Sequence, residues 1–286
     1  MKDLTNIKNI KELLGENKPK KYLGQNFLLS MRTIQIAIET AKLKKDDTVL
    51  EIGPGLGVLT FELAKHVSRI IAVEKDKDLI EVLQKNIKEQ NFENSIKVIN
   101  SDALKFTVSD LRFSNYKIVA NLPYQITSPI LWKFLHEEKI KPEIMVIMVQ
   151  KEVAERIVAR EGNMSLLSVL VQYYSEPKIV KNVKSTSFYP TPKVDSAIVG
   201  LRIKEQKEEN TINEENLFKL VKTGFSNKRK MLKNNISKLL LGEDTGQVLK
   251  DADLSEKARA QELCIDDWLK LYEVVYTTYV KRRESS

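Results

Sequence analysis

Residues 48–57 have the sequence Thr48-Val49-Leu50-Glu51-Ile52-Gly53-Pro54-Gly55-Leu56-Gly57, and this stretch decides the fold class. Its first five residues form a short apolar run bounded by polar residues, which predicts a buried parallel strand. A glycine-rich loop follows, and residues 58–66 then repeat apolar side chains at helical spacing. A strand, a glycine loop and a helix in this order are typical of a nucleotide-binding βα unit.

The spacing of the glycines indicates which nucleotide. Gly53, Gly55 and Gly57 occupy the first, third and fifth places of the loop, whereas the dinucleotide fingerprint needs the first, third and sixth. An acidic residue, Glu51, stands two places before the first glycine. This pattern resembles the S-adenosylmethionine-binding loop of the methyltransferases and disfavours an NAD-linked dehydrogenase. We therefore expect S-adenosylmethionine as the cofactor, bound in part by Glu51 and Gly55, and no metal.

Two further carboxylates follow predicted strands. Glu74 ends the apolar run of residues 69–73, and Asp102 lies just beyond the run of residues 96–99. Ligands of open α/β sheets bind at the carboxyl ends of strands, where one carboxylate can take the ribose hydroxyls and another the adenine amino group. Carboxylates also suit a sulfonium cation. Each residue alone could be a solvated strand end or a helix cap, but three in order make coincidence a poor explanation.

A fourth strand end carries the tetrapeptide Asn121-Leu122-Pro123-Tyr124, after the apolar run of residues 117–120. An amine attached to an aromatic ring is a poor nucleophile, because its lone pair is delocalised into the ring. The side-chain oxygen of Asn121 and the carbonyl of Leu122 could accept its two N–H groups and free that lone pair, while Tyr124 stacks on the base. The alternative is an ordinary strand-to-helix turn that contains proline.

Two more segments complete a family resemblance. They are Lys20-Lys21-Tyr22-Leu23-Gly24-Gln25-Asn26-Phe27-Leu28 and Phe188-Tyr189-Pro190-Thr191-Pro192-Lys193-Val194-Asp195-Ser196. With the glycine loop and the Asn-Leu-Pro-Tyr motif, the chain resembles the small-subunit (16S) ribosomal RNA adenine N6-dimethyltransferases, the family of the kasugamycin-resistance methyltransferase. The resemblance runs from about residue 20 to about residue 271. It implies a Rossmann-like, mostly parallel sheet whose last strand is antiparallel, followed by a small helical domain.

The resemblance also implies a role for each matching residue of the cofactor pocket. Asn26 and Leu28 would cover the methionine end of the cofactor, and Gly53 would line its floor. Glu74 would hold the ribose and Asp102 the adenine. Asn26 and Leu28 lie in the first of these segments, Gly53 lies in the glycine loop, and Glu74 and Asp102 follow the two predicted strands.

On the substrate side, the resemblance implies that Asn121 serves both the cofactor pocket and the target amine. Tyr124 would stack on one face of the target adenine, and Phe188 is similar to the aromatic residue that closes the other face. The implied reaction is dimethylation of N6 of two adjacent adenosines in a hairpin loop near the 3′ end of 16S ribosomal RNA, in the assembling 30S subunit. Alternatives are an adenine N6-methyltransferase of large-subunit RNA or DNA, and a non-catalytic ribosome-assembly factor.

One departure from the family pattern is Ser30, which stands where the family usually has aspartate. Serine can also cap a helix, and we expect it to cap one that begins near Met31. The macrolide-resistance methyltransferases of large-subunit RNA are close relatives that more often carry isoleucine at the position of Leu122. The sequence therefore lies nearer to the small-subunit branch.

Composition is consistent with an RNA partner. The formal net charge is +8 over 286 residues, which favours polyanionic ligands. A cluster in the C-terminal part invites an RNA-contact interpretation, although a solvated helix face explains it equally well; helical spacing would put one member, Arg229, near an apolar stripe. The cluster consists of Lys228, Arg229, Lys230 and Lys233, and Lys178, Lys181 and Lys184 are further candidates for phosphate contacts.

The chain is long enough for one sizeable domain and a smaller one. We expect a catalytic domain over residues 1–204, with a helical extension at 1–21, and a helical C-terminal domain over 205–286, joined by the charged segment 205–210. With one cysteine and two histidines, a Cys/His metal cluster and an internal disulfide are excluded. No run of 18 apolar residues is present, so we expect no membrane span. We also expect a monomer in the cytoplasm.

Overall fold

The computed structural model describes residues 3–16, 18–111, 115–205, 212–240 and 243–276. Contacts divide the chain into two compact units, one of Met1–Glu155 with Ser175–Ile203 and the other of Arg156–Tyr174 with Lys204–Ser286. Most of the predicted linker, residues 206–210, lies outside the described residues. Within the described ranges, no helix combines the length and apolar character needed to cross a bilayer.

The first unit is built on a seven-stranded sheet and a separate strand pair. In chain order the strands are β1 Phe27–Leu28, β2 Thr48–Ile52, β3 Arg69–Glu74, β4 Ile96–Asn100, β5 Lys117–Asn121, β6 Ile144–Gln150, β7 Ser175–Val183, β8 Phe188–Tyr189 and β9 Ser196–Ile203. The large sheet has the order β4-β3-β2-β5-β6-β9-β7, and β1 pairs with β8. Strands β2 to β6 are parallel, and β9 is antiparallel to both β6 and β7. The predicted mostly parallel sheet with an antiparallel end is confirmed.

Helices connect these strands and form the second unit. In chain order they are α1 Ile7–Leu14, α2 Met31–Ala41, α3 Val58–Ala64, α4 Lys77–Glu89, α5 Thr127–Trp132, α6 Lys151–Ile157, α7 Leu166–Tyr174, α8 Glu214–Gly224, α9 Leu232–Ile236, α10 Thr245–Asp251 and α11 Ile265–Glu273. Ser30 is the N-cap of α2, and its hydroxyl accepts a hydrogen bond from the backbone N–H of Thr33. The predicted cap at Ser30 is therefore confirmed.

The strand order explains where a site can form. β2 is buried along its whole length and lies between β3 and β5, to which it is parallel. After β2 the chain continues to β3 and β4 on one side and then crosses to β5 on the other side. The loops that follow these strands therefore diverge and leave a crevice at the carboxyl ends of the strands. The glycine loop, Glu74 and Asn121 all follow or end these three strands and so meet at one edge of the sheet.

Gly57 is required by both conformation and space. Its φ is 94°, and a Cβ placed there would lie 2.6 Å from Leu83 Cδ1 and 2.7 Å from Phe61 Cε2. We expect Gly57→Ala to lower the free energy of unfolding by about 2 kcal/mol or more, since it combines backbone strain with overpacking. Gly162 has a φ of 88° but open space around it, so Gly162→Ala should cost only the strain. If chemical denaturation showed that both variants lose the same free energy of unfolding, this result would contradict the crowding at Gly57.

The second unit has its own hydrophobic core, and it contains a segment that lies outside the predicted C-terminal domain. Leu217, Leu220, Trp268 and Leu271 are fully buried in it, together with Val169 of α7. The prediction placed residues 156–174 in the catalytic domain, but this segment belongs to the helical unit. Helical period alone could not assign α7, because the apolar face of a helix does not identify the core that it contacts.

The basic cluster also differs from its prediction. Residues 228–230 form a turn before α9 rather than part of a helix, and all three side chains are exposed. Helical spacing predicts Arg229 near the apolar stripe, but because the residue lies in a turn, that spacing does not apply to it. Lys233, the member of the cluster that lies in α9, is half-buried, and its Nζ is 3.5 Å from a carboxylate oxygen of Glu256.

Candidate active site

The carboxyl ends of β2, β3 and β5 line a cavity of about 180 Å³. Its wall contains both the predicted cofactor residues and the predicted acceptor motif, so the two halves of the site share one space. Of the predicted site residues, the cavity is lined by Asn26, Leu28, Glu51, Gly53, Gly55, Glu74, Asp102, Asn121, Leu122, Pro123 and Tyr124.

Phe188 is the predicted site residue that the structure does not place on this wall. It pairs with Leu28 in the short β1–β8 ladder and is 1% exposed in the core of the first unit. The alternation of side chains along a strand directs it inward. Stacking on a substrate base would require this side chain to leave the core.

Glu74 holds the glycine loop and the start of α4 together. Its Oε2 accepts a hydrogen bond from the N–H of Gly55 at 3.1 Å, and its Oε1 accepts from the N–H groups of Lys75 and Asp76 at 2.8 and 2.9 Å. The residue is 8% exposed. Burial raises its pKa above the usual value, and the three amide donors oppose that rise. The carboxylate is therefore fixed in orientation before any ligand arrives.

Glu51 is the most deeply buried acidic residue of the site. It is 1% exposed, and its Oε2 has no hydrogen-bond partner among the residues that the structure describes. Burial raises the pKa of Glu51 to about 8, and the nearby Glu74 carboxylate adds to the rise. A buried polar atom without a partner is costly, and the raised pKa reflects that cost. The buried Thr60 side chain opposes the rise.

The raised pKa of Glu51 predicts a pH dependence of stability. In the unfolded chain the group ionises near its ordinary value of 4.5, whereas in the folded protein it stays protonated to about pH 8. The folded state thus binds an extra proton between these values, and the free energy of unfolding falls as pH rises through this window. Chemical denaturation would measure the free energy of unfolding of wild type and Glu51→Gln at pH 5 and pH 8. Because glutamine does not titrate, the wild type should lose stability relative to the variant as the pH rises. A pH-independent difference would contradict the shift.

Asp102 is the more exposed acidic group of the site. Its Oδ2 lies 2.9 Å from Lys75 Nζ, and its Oδ1 accepts a hydrogen bond from the N–H of Leu104 at 3.0 Å. The Lys75 ammonium holds the pKa of this carboxyl below its usual value. Asp102 is therefore ionised at neutral pH and is available as an acceptor for an exocyclic amine.

The Asn121 amide has a defined orientation. Its Nδ2 donates a hydrogen bond to the backbone oxygen of Asn26 at 3.1 Å. A carbonyl oxygen can only accept, so the amide nitrogen must be the atom that faces it, and the opposite atom is the oxygen Oδ1. The backbone N–H of Leu122 donates a hydrogen bond to the backbone oxygen of Met148 at 3.1 Å, which fixes the start of the motif against β6. Oδ1 of Asn121 is thus directed away from Asn26 as an acceptor.

The rest of the motif is rigid. The Tyr124 hydroxyl lies 2.7 Å from the hydroxyl oxygen of Ser196 at the start of β9. Burial raises the pKa of Tyr124, so its ring stays neutral. Pro123 packs against two glycines, since a Cβ at Gly24 or at Gly53 would lie 3.4 or 3.5 Å from its ring atoms. The proline therefore joins the acceptor turn, the glycine loop and the segment before Asn26.

That segment is anchored by polar residues to which the sequence analysis assigned no role. Lys20 Nζ lies 2.6 Å from Asp76 Oδ1 and 2.8 Å from Asp78 Oδ2, and Gln25 Nε2 donates to Asp76 Oδ2 at 2.6 Å. Asp76 is 4% exposed and caps α4. Asp76 and Asp78 at the start of a helix were a recognisable cap signal, but their partner more than 50 residues earlier was not predictable from spacing.

The donor set fits S-adenosylmethionine. Glu74, held by backbone amides, and the glycine loop are suited to ribose hydroxyls, and the ionised Asp102 on the same wall suits a ligand with a positive charge. Within the described ranges, no group of three or more His, Cys, Asp and Glu side chains is arranged to hold a metal ion.

Comparison with known proteins agrees with this geometry. The family model described as ribosomal RNA adenine dimethylase matches residues 16–276. The chain is 43% identical to the ribosomal RNA small subunit methyltransferase A of Dehalococcoides mccartyi over 262 residues, which cover 89% of this chain and 87% of the relative. It is 37% identical to the protein of the same name from Clostridioides difficile, over 91% of this chain and 92% of the relative.

Solved structures give the same result. A dimethyladenosine transferase from Plasmodium falciparum superposes with a TM-score of 0.75 at 30% identity, over 87% of this chain and 97% of that one. The 23S rRNA methyltransferase ErmE superposes with a TM-score of 0.69 at 29% identity, over 87% and 99%. The family model covers nearly the whole chain, including both halves of the cavity. This chain therefore belongs to the ribosomal RNA adenine dimethylase family.

Proposed function

We propose that this chain uses S-adenosylmethionine to dimethylate N6 of two adjacent adenosines in a hairpin loop near the 3′ end of 16S ribosomal RNA, acting as a monomer on the assembling small subunit. The observation that carries the proposal is the orientation of Asn121. Its Nδ2 is occupied by the Asn26 carbonyl, so its Oδ1 is presented as an acceptor in a cavity that also contains Glu51, Glu74 and Asp102. An amine acceptor and a cofactor pocket thus share one space.

The cofactor would be held by the residues at the ends of β2, β3 and β4. When bound, S-adenosylmethionine supplies an electrophilic methyl group. Glu74 is already oriented by three amides, and its Oε2, which accepts only one of them, can accept a ribose hydroxyl as well. Asp102 can accept the adenine amino group. Gly53 and Gly55 let the backbone approach closely, while Asn26 and Leu28 form the cover on the other side.

The acceptor motif acts on the target amine. Oδ1 of Asn121 and the carbonyl oxygen of Leu122 can each accept one N–H of the adenine amine. In the described part of the chain, the Leu122 carbonyl accepts no other hydrogen bond. Two acceptors that hold both protons favour a tetrahedral nitrogen, whose lone pair is then available. The proton leaves to water afterwards, so the chain needs no general base. Positioning of the two reactants supplies most of the acceleration.

Hydrogen-bond counting also explains why transfer can proceed twice and then stop. A monomethylated amine keeps one N–H, which one of the two acceptors can still hold. A dimethylated amine has none, so Asn121 and Leu122 lose their partner and the product is released. Tyr124 supplies the stacking surface at each stage, and base–aromatic stacking is worth about 1–3 kcal/mol.

The relatives support the small subunit as substrate. Those at 36–43% identity carry the small-subunit name, whereas the large-subunit enzyme ErmE is 29% identical. A non-catalytic assembly factor would not need an oriented Asn121 or a buried Glu51. We therefore place the RNA of the small subunit first among the acceptors.

Transfer of labelled methyl groups tests the proposal. Small subunits that lack the modification, large subunits and double-stranded DNA would each be incubated with the protein and labelled S-adenosylmethionine. We expect label in the RNA of the small subunit alone. Label in large-subunit RNA or in DNA, with none in the small subunit, would overturn the proposed substrate.

A further inference from the structure

Tyr22 is a large aromatic side chain left in solvent at the edge of the cavity. It is 74% exposed, the highest value among the exposed large hydrophobic residues of the described ranges, and it lines the same cavity as Asn121 and Tyr124. In the part of the chain that the structure describes, neither its ring nor its hydroxyl has a partner. Ligand cavities are lined mostly by hydrophobic and aromatic side chains, so the exposed Tyr22 ring on this wall is available to a ligand.

The backbone that carries Tyr22 is nevertheless held firmly. Tyr22 is the middle residue of a 3₁₀ turn, Lys21–Leu23, closed by a hydrogen bond from the N–H of Gly24 to the oxygen of Lys21. On one side, Lys20 is anchored to Asp76 and Asp78, and its backbone N–H donates to Gln25 Oε1 at 2.7 Å.

The other side of the turn is joined to the acceptor motif. Gln125, the residue after Tyr124, donates from Nε2 to the backbone oxygen of Lys21 at 3.4 Å. Gly24 also lies against Pro123. The Tyr22 ring is therefore presented by an ordered turn beside the acceptor residues, and little backbone entropy is lost when a ligand covers it.

The chemistry of the acceptor defines what would cover it. A base that enters the acceptor cavity must leave its stack, and the neighbouring base then has one face uncovered. An aromatic ring at the edge of the cavity can cover that face, whatever the base, because every base has a π-face. Lys21 beside it is exposed and forms no ion pair with any described residue, so it can meet the backbone phosphate.

We propose that Tyr22 is the stacking platform for the unpaired RNA base that neighbours the target adenosine. This inference rests on the proposed function, since it takes single-stranded ribosomal RNA as the ligand. It adds a second base-binding position to the one formed by Asn121 and Tyr124. The position depends on the aromatic ring and not on the hydroxyl.

Two substitutions separate these properties. Tyr22→Leu removes the ring and keeps an apolar side chain, whereas Tyr22→Phe keeps the ring. At 74% exposure neither change disturbs the core. Val180→Ala is the matched control, because Val180 is 37% exposed and does not line the cavity. The Kd for unmodified small subunits would be measured with S-adenosylhomocysteine present, along with kcat and KM for methyl transfer and the Kd for the cofactor alone.

We expect Tyr22→Leu to raise the Kd and KM for small subunits by about fivefold or more, the effect of one lost base–aromatic stack. The kcat and the cofactor Kd should stay near wild type, and Tyr22→Phe and Val180→Ala should behave as wild type throughout. Wild-type affinity in Tyr22→Leu, or an equal loss in Tyr22→Phe, would overturn the role of Tyr22.

The two proposals can fail separately in this experiment. Methyl transfer by the wild type with no effect of Tyr22→Leu rejects the stacking platform and leaves the proposed function standing. Tyr22-dependent binding of small subunits without methyl transfer rejects the proposed function and leaves the platform standing.

Discussion

Replacing Asn121 by alanine is expected to lower kcat for methyl transfer by roughly a hundredfold or more. The variant lacks the oxygen that accepts the target amine, and removing one preorganised hydrogen-bond partner of a reacting group costs about 10²–10³ in kcat. It also leaves the Asn26 carbonyl without its donor, a loss of about 1 kcal/mol in stability. Calorimetry should still detect binding of S-adenosylmethionine, because Glu51, Glu74 and Asp102 remain.

Asn100→Ala is the matched control for this variant. Asn100 also ends a parallel strand, and its Nδ2 also donates to a backbone oxygen, that of Glu74 at 3.1 Å, but its side chain does not line the cavity. The two variants should lose similar stability, while Asn100→Ala keeps most of its activity. A near-normal rate in Asn121→Ala would reject the role that we assign to its Oδ1.

Replacing Glu74 by glutamine is expected to raise the cofactor Kd by about 10- to 100-fold. Three N–H donors converge on its two oxygens, with Gly55 on one and Lys75 and Asp76 on the other. A glutamine must turn its NH₂ group toward at least one of them, so donor faces donor. The ribose also loses its charged hydrogen-bond acceptor, and a hydrogen bond to a charged group contributes about 1.5–3 kcal/mol.

Glu62→Gln is the control, because Glu62 of α3 pairs with Lys65, the residue that follows this helix, and does not line the cavity. Isothermal titration with S-adenosylhomocysteine measures both variants without turnover. We expect the cofactor affinity of Glu62→Gln to match wild type. An unchanged Kd in Glu74→Gln would show that this carboxylate supports the loop without touching the ligand.

Most of the sheet and of the cofactor pocket could be predicted from the sequence, because they depend on local signals. The run before Gly53 is fully buried in β2, and Glu74 and Asn121 end their strands as expected. Parallel strands bring their carboxyl ends to one edge, so residues far apart in sequence were correctly placed on one cavity. Ser30 caps its helix for an equally local reason.

The features that the sequence could not predict involve long-range packing. The helical period of α7 does not show whether its apolar face packs in the core of the first unit or in that of the second. The inward orientation of Phe188 depends on its pairing with Leu28 some 160 residues earlier. The anchoring of Lys20 by Asp76 and Asp78 depends on the docking of an irregular segment, which has no periodicity to predict it. These are contacts that only the folded chain defines.

Nucleoside analysis of the reaction product tests the central claim most directly. The claim is that one cavity holds a methyl donor against an adenine N6 presented to Asn121. After reaction with S-adenosylmethionine, 16S RNA from unmodified small subunits would be digested and its nucleosides separated and identified by mass. We predict N6,N6-dimethyladenosine, located at two adjacent positions of one hairpin loop and absent when Asn121→Ala replaces the wild type. Methyl groups found on another atom of adenine, or on another base, would contradict the account.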